Sequence, residues 1–227
     1  MLQVYIGFDP REAVAYDTLA HSIRRRASMP VEIKPLVQKE LRAAGLYRRE
    51  RGPTESTEFS LTRFLVPALA GYKGWSVFMD CDMLCRADIA ALYALKQADK
   101  AAMVVQHDYV PKTQRKFLDQ VQTKYERKNW SSLMLFNNER CRALTAAYVN
   151  SASGLELHRF KWLDDGEIGA LPKEWNWLVT EYPYNPAAKL VHYTVGGPWF
   201  EPYRSCDYAD EWFAERDLSL RGSRSPS

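Results

Sequence analysis

Two aspartates one residue apart, Asp80 and Asp82, close the run WSVFMDCD. A carboxylate is costly to bury unless a cation or hydrogen-bond donors meet it. Two of them at the end of an apolar run therefore leave two readings: a solvated turn begins here, or a cation is held here. In an extended segment alternate side chains share a face, which puts Asp80 and Asp82 on one side and Cys81 on the other. Two hard oxygen donors side by side suit Mg²⁺ or Mn²⁺. Asp-x-Asp is also short enough to recur in ordinary loops, so its partners carry the weight. One is His192 in KLVHYTVGGPWF, an imidazole that would complete a mixed N/O ligand set. Gly196 and Gly197 follow it as a turn whose backbone can approach a phosphate closely. The competing reading of His192 is a hydrogen-bonded structural histidine beside that turn.

Open α/β sheets bind ligands beyond the carboxyl ends of their strands, and the surrounding sequence supplies strands and helices in alternation. LQVYIGF is a short apolar run, after which DPREAVAYDTLAHSIRRR shifts to helical spacing. Asp9 falls at its N-cap, Pro10 at the first helical position and Glu12 three residues past the cap. Ala13, Tyr16, Ala20 and Ile23 form an apolar stripe, and Arg24 to Arg26 occupy the last turn, where they suit the helix dipole. VEIKPL reads as a second strand and LYRRERGPTESTE as a mobile surface loop broken at Gly52-Pro53. FSLTRFLVPAL reads as a helix that Pro67 kinks or ends. GWSVFMDCD is a strand, DIAALYALK a helix capped by Asp88, and AAMVVQHD and SSLMLFNN are buried strands. A helix over about residues 139–148 and a last short strand, KLVHY, complete the pattern. The expectation is an α/β fold, a mostly parallel sheet with helices on both faces. One domain would span residues 1–218, and the tail 219–227, SLRGSRSPS, would be disordered.

The chain of 227 residues is long enough to bury one sizeable core. Its 31 basic and 28 acidic residues leave a formal charge of +3, which gives no global field toward nucleic acid. No apolar stretch is long enough to span a bilayer, and the N-terminus lacks a basic region and a cleavage site. A soluble cytoplasmic protein is expected, with at most weak membrane association. Cys81, Cys85, Cys141 and Cys206 form no C-x-x-C pair and read as buried or half-buried thiols.

Six stretches, in order, resemble glycosyltransferase family 8, a GT-A-fold group that includes glycogenin and bacterial lipopolysaccharide galactosyl- and glucosyltransferases. VYIGFDPREAVAYDTLAHSI is similar to the family's opening nucleotide-binding strand and helix, SLTRFLVPAL to its arginine-bearing helix, and VFMDCDML to its aspartate pair. SSLMLFNN resembles the strand ending in Asn that walls the donor-sugar pocket, LPKEWNWL the Leu-Pro-x-x-Trp-Asn segment, and HYTVGGPW the late His-Gly-Pro-Trp motif. The similarity runs over about residues 3–200.

The resemblance implies a Rossmann-like GT-A domain and a retaining hexosyltransferase of polysaccharide biosynthesis. Such an enzyme moves sugar from a UDP-sugar to a saccharide or glycolipid acceptor with Mn²⁺ or Mg²⁺. It places Phe8 and Asp9 against the uracil, with Tyr16 either nearby or in the core. Arg63 would reach the nucleotide or the aspartates, or else lie on an exposed helix face. Asp80 would contact ribose and metal, Asp82 and His192 the metal, and Gly196 and Gly197 the nucleotide. Asn137 and one of Asp164 or Asp165 would hydrogen-bond the donor sugar, although WLDDG also reads as a plain turn. One departure stands out: Gly197 precedes Pro198-Trp199 and the family's usual Lys is missing. The diphosphate would then lean on the metal, backbone N–H groups, and Lys189 or Arg204.

Trp175 and Trp177 are the preferred aromatic candidates for an acceptor cleft, core packing being the other use for such residues. A non-catalytic sugar-nucleotide-binding module is the alternative function, and it predicts UDP binding without turnover. A nucleotidyltransferase would want a Gly-rich phosphate loop, and IGFDPREAV has only Gly7.

Overall fold

The computed structural model describes residues 1–52, 55–108 and 126–222. In chain order the elements are β1 (Leu2–Gly7), α1 (Ala13–Arg26), β2 (Val31–Leu36), α2 (Gln38–Ala43), α3 (Val66–Leu69), β3 (Trp75–Met79), β4 (Met83–Cys85) and α4 (Ile89–Tyr93). They continue with β5 (Ala102–Val104), β6 (Leu133–Asn137), α5 (Ala146–Ser151), α6 (Gly154–His158), β7 (Ile168–Ala170), β8 (Trp177–Leu178), β9 (Leu190–His192) and α7 (Ala209–Gly222).

Six strands form the central sheet in the order β2-β1-β3-β6-β5-β7. The β1–β2, β1–β3 and β5–β7 pairs are parallel, while β6 is antiparallel to both β3 and β5. Five strands thus run one way and β6 alone opposes them. β3 and β6 are near-continuous apolar runs because both faces are covered: Val77, Phe78, Met79 and Leu133 through Phe136 are all buried. β2 closes one edge, where Pro35 needs no ladder partner on its free side and Glu32 pairs with Lys34 at 3.1 Å.

A second, three-stranded sheet, β4-β9-β8, hangs from the carboxyl end of β3. It has its own small core of Leu84, Val191, Tyr193, Tyr208 and Trp212. α1 serves both cores, with Leu19, Ala20 and Ile23 in the main one and Val14 against the other. α7 is pinned to α1 through Glu215, which is 2% exposed and meets His21 at 2.6 Å, Arg25 at 2.9 Å and Arg26 at 2.7 Å.

Three local expectations change. Residues 139–148 are not one helix: a 3-10 turn, Asn138–Arg140, comes first, and α5 starts later, where the Thr145 side chain caps Tyr148 N–H. Phe59 to Leu69 holds a 3-10 turn, Thr62–Leu65, followed by α3, with Pro67 in the first turn, where its missing N–H is harmless. The tail is helical as far as Gly222, because α7 docks through Trp212 and Glu215 and carries the next turns with it. Residues 223–227 lie outside the described residues, as do Pro53 and Thr54 of the surface loop. Cys81, Cys85 and Cys141 are buried free thiols and Cys206 is half-buried.

Candidate functional site

A bend at the end of β3 builds the site. The Asp80 N–H donates to the Ser132 carbonyl at 2.9 Å, tying the end of β3 to the residue before β6. Three residues on, β4 enters the second sheet and pairs with β9 in a register that sets Met83 opposite His192. Tyr193 N–H donates to the Asp82 carbonyl at 2.9 Å and locks that register. Distant segments are thereby joined: His192 Nε2 lies 3.3 Å from Asp82 Oδ1 and 4.0 Å from Asp80 Oδ2. Ligand atoms of the three residues all fall within 4.8 Å of one another. Cys81 is fully buried and the aspartate side chains are 14% and 13% exposed, although Cys81 and Asp82 lie in a bend between β3 and β4 and not in a strand.

This donor set fits a divalent cation. Oxygen and imidazole ligands at about 2.1 Å from a six-coordinate ion sit about 3 to 4 Å apart, and the two histidine-to-aspartate separations lie in that range. Asp80 Oδ1 is taken by Arg63 Nη1 at 2.9 Å, leaving Oδ2 turned toward His192. Arg63 is only 6% exposed, lies over the Phe59 and Phe78 rings, and also donates to the Ser131 carbonyl at 2.9 Å. It is therefore a buried partner of Asp80, not a solvated helix face.

The carboxyl end of β1 lies beside that of β3. Asp9 caps the 3-10 turn Pro10–Glu12, as its spacing predicts, and is 1% exposed. Burial would raise its pKa, but Arg11, with donors at 2.9 and 2.6 Å, and the Glu58 N–H hold it below the ordinary carboxylate range. Phe8 and Tyr16 meet edge to face at 5.5 Å beside it. Glu12 was expected only as a capping residue. It is instead 1% exposed, and among the described residues its Oε1 has no hydrogen-bond partner. Burial first, then Asp82, Asp9 and Asp80, push its pKa up to about 9.

Several expected contributors lie elsewhere. Because β6 is antiparallel, its last residue, Asn137, pairs with Trp75 at the start of β3, the far end of the sheet, and its amide donates to the Ala98 and Lys100 carbonyls. Asp164 and Asp165 precede β7, whose start pairs with the start of β5, so they are at the far end too. Asp164 caps a turn and Asp165 is 85% exposed, paired with Arg127. The structure does not bring these three to the Asp80, Asp82 and His192 cluster, and strand direction is the reason. Gly196 and Gly197 are buried beneath the Tyr203 and Trp199 rings, which stand where a Cβ would go, so close ring packing explains both glycines. Trp175 is fully buried in the core, while Trp177 is half-buried against Tyr182. Lys189 lies over Trp175 at the opposite end of β9 from His192, and Arg204 is exposed beside Glu201 and Phe213.

Two further residues stand at this end without having been picked from the sequence. His107, just past β5, meets the Tyr182 hydroxyl at 2.9 Å, and burial, then His192 and Lys173, push its pKa down to about 3. Asn176, in the segment between β7 and β8, lies 3.0 Å from His192 Nδ1. A histidine three residues beyond an apolar strand was a signal for the first; nothing periodic marked the second, although it is the Asn of the LPKEWNWL segment.

No protein-family model matches the chain. It is 49% identical over 222 residues to Protein CDI of Arabidopsis thaliana, covering 95% of this chain and 86% of that protein. Among solved structures it is similar to the WbbM bifunctional glycosyltransferase, with a TM-score of 0.63 at 16% identity over 95% of this chain and 49% of that one. The glycosyltransferase GlyE of Streptococcus pneumoniae gives 0.63 at 14% identity, over 98% and 63%. The galactosyltransferase LgtC, in complex with donor and acceptor sugar analogues, gives 0.62 at 11% identity, over 96% of each chain. The chain thus spans about half of WbbM and under two thirds of GlyE. At such identities the likeness shows the fold, the GT-A α/β architecture of these glycosyltransferases.

Proposed function

The chain belongs to the family of Protein CDI from Arabidopsis thaliana, and for this member we propose a metal-dependent glycosyltransferase that draws on a nucleotide-sugar donor. The observation that carries the reading is the Asp80, Asp82 and His192 cluster at the carboxyl end of β3, where open α/β sheets bind their ligands. Asp80, Asp82 and His192 would hold a divalent cation, Mn²⁺ or Mg²⁺, which would supply Lewis-acid stabilisation for negative charge on a departing diphosphate. Arg63 pairs with Asp80 Oδ1 and fixes the carboxylate's aim. Phe8, Asp9 and Tyr16 form the wall nearest the base. The donor in this reading is a UDP-hexose, the acceptor a saccharide or glycolipid, and the transfer retains anomeric configuration.

Calorimetric titration of UDP, with and without Mn²⁺, into the parent protein and Asp82→Asn tests it. Binding is expected only with the metal present and Asp82 intact, and UDP-sugars can then be screened for transfer. UDP binding indifferent to the metal, or none at all, would remove the donor site from the reading.

A further inference from the structure

Three hydrogen bonds run in series behind His192, and each fixes the next. Asn129 holds a left-handed backbone, φ 62° and ψ 2°, a conformation that asparagine tolerates better than most residues. Its carbonyl can only accept, and it takes the Ser132 hydroxyl proton at 2.6 Å. Ser132 Oγ, its one proton used, can only accept in turn. The Asn176 atom 2.8 Å away must therefore be its amide nitrogen, which also reaches the Asn129 carbonyl at 3.4 Å. That settles the amide orientation, which heavy-atom positions alone leave open: Asn176 Oδ1 faces His192 Nδ1 at 3.0 Å. An oxygen there requires the ring proton on Nδ1. In the neutral ring, Nε2 then carries the lone pair, directed at the space shared with Asp82 and Asp80.

We propose that Asn176 is a positioning residue that sets the tautomer and the aim of His192, so that Nε2 is presented as a ligand to a cation shared with Asp80 and Asp82. Its purpose rests on the metal-site reading above. A neutral imidazole lone pair 3.3 Å from a carboxylate oxygen is repulsive by itself, and a cation between them turns the same geometry into coordination. Ligating histidines characteristically donate their other N–H to a fixed acceptor, and loss of that acceptor typically weakens metal binding about 10- to 100-fold. Both Asn176 and His192 are buried, at 0% and 2% exposure, so bulk solvent does not reach the place of the amide. Ser132 links the two halves of the site, since its hydroxyl anchors Asn176 and its carbonyl receives the Asp80 N–H.

Two readouts test this on the full chain. Long-range ¹H–¹⁵N correlation on the metal-free protein, in the pH range where the ring is neutral, reports the His192 tautomer, and calorimetry with Mn²⁺ alone reports affinity. The parent is expected to carry its proton on Nδ1. Asn176→Leu should lose that preference and bind Mn²⁺ about 10- to 100-fold more weakly. Asn176→Asp keeps the acceptor, and the Ser132 hydroxyl can rotate to donate to it, so it should retain both the tautomer and most of the affinity. Ser132→Ala, a milder change should Asn176→Leu fold poorly, frees the amide to flip and should weaken the preference. A parent ring protonated on Nε2, or a tautomer unmoved in both Asn176→Leu and Ser132→Ala, would overturn the inference. A parent with the stated tautomer that binds no Mn²⁺ would instead overturn the cation reading of the site.

Discussion

Replacing Glu12 with glutamine should stabilise the cation-free protein, and by more as the pH rises. Glu12 is 1% exposed, its Oε1 has no hydrogen-bond partner among the described residues, and its charged neighbours are Asp82, Asp9 and Asp80 against one cation, Arg11. That guanidinium is already engaged by Asp9. The folded protein therefore holds Glu12 protonated, its pKa moved from 4.5 to about 9. Between those values the unfolded chain has released a proton that the folded chain keeps, so stability falls with rising pH. Each pH unit corresponds to about 1.4 kcal/mol, which makes the loss about 3 kcal/mol at pH 7 and about 6 kcal/mol as an upper bound near pH 9.

Glutamine has nearly the same shape and does not titrate. Relative to the parent it carries one pH-independent offset, from burying an amide, plus a gain that grows by about 1.4 kcal/mol per unit over the same window. Urea denaturation of both proteins in chelator, at mildly acidic, neutral and alkaline pH, gives that slope directly. A divalent cation should flatten it, because positive charge near Asp82 favours the ionised form of Glu12. A stability difference that is constant with pH would refute the burial-driven shift. A difference of opposite slope would mean that Glu12 is ionised and paired in the folded protein.

Arg63→Met removes the guanidinium from a largely buried Asp80 and from the Ser131 carbonyl; a destabilisation of about 3 to 5 kcal/mol is expected in urea, and Asp80→Asn added to it should cost less than the two single changes summed. Glu215→Gln should weaken the hold of α7 on α1 by about 1 to 3 kcal/mol and expose α7 to limited proteolysis before the rest of the chain. Burial opposes charge on Glu215, but Arg25, Arg26 and His21 outweigh it and lower its pKa. The stabilisation is thus present at neutral pH and lost as the pH falls through the acid range, so the parent at acid pH should show the same early cleavage of α7.

Much of this site was legible in local sequence. The apolar run before Asp80, the period change after Gly7 that marks the Asp9 cap, and the apolar approach to His192 are short-range signals, and the fold places all of them as the spacing suggested. Arg63 was left open because helical spacing says which residues share a face, not what covers that face; Phe59, Phe78 and Asp80 cover it. Asn137 was misplaced for a different reason. An apolar strand has the same two-residue period whichever way it runs, so SSLMLFNN could not announce that β6 opposes its neighbours. Once that direction is known, the functional end of the segment exchanges with the other. The serines before β6, not the asparagine at its close, reach the carboxyl end of β3. Ser131 receives Arg63, and Ser132 receives both the Asp80 N–H and the Asn176 amide. Reversal also explains why serine serves there. The residue before an antiparallel strand presents its carbonyl to the end of the neighbouring strand, and a small hydroxyl side chain fills the remaining acceptor role without displacing the aspartates it helps to hold.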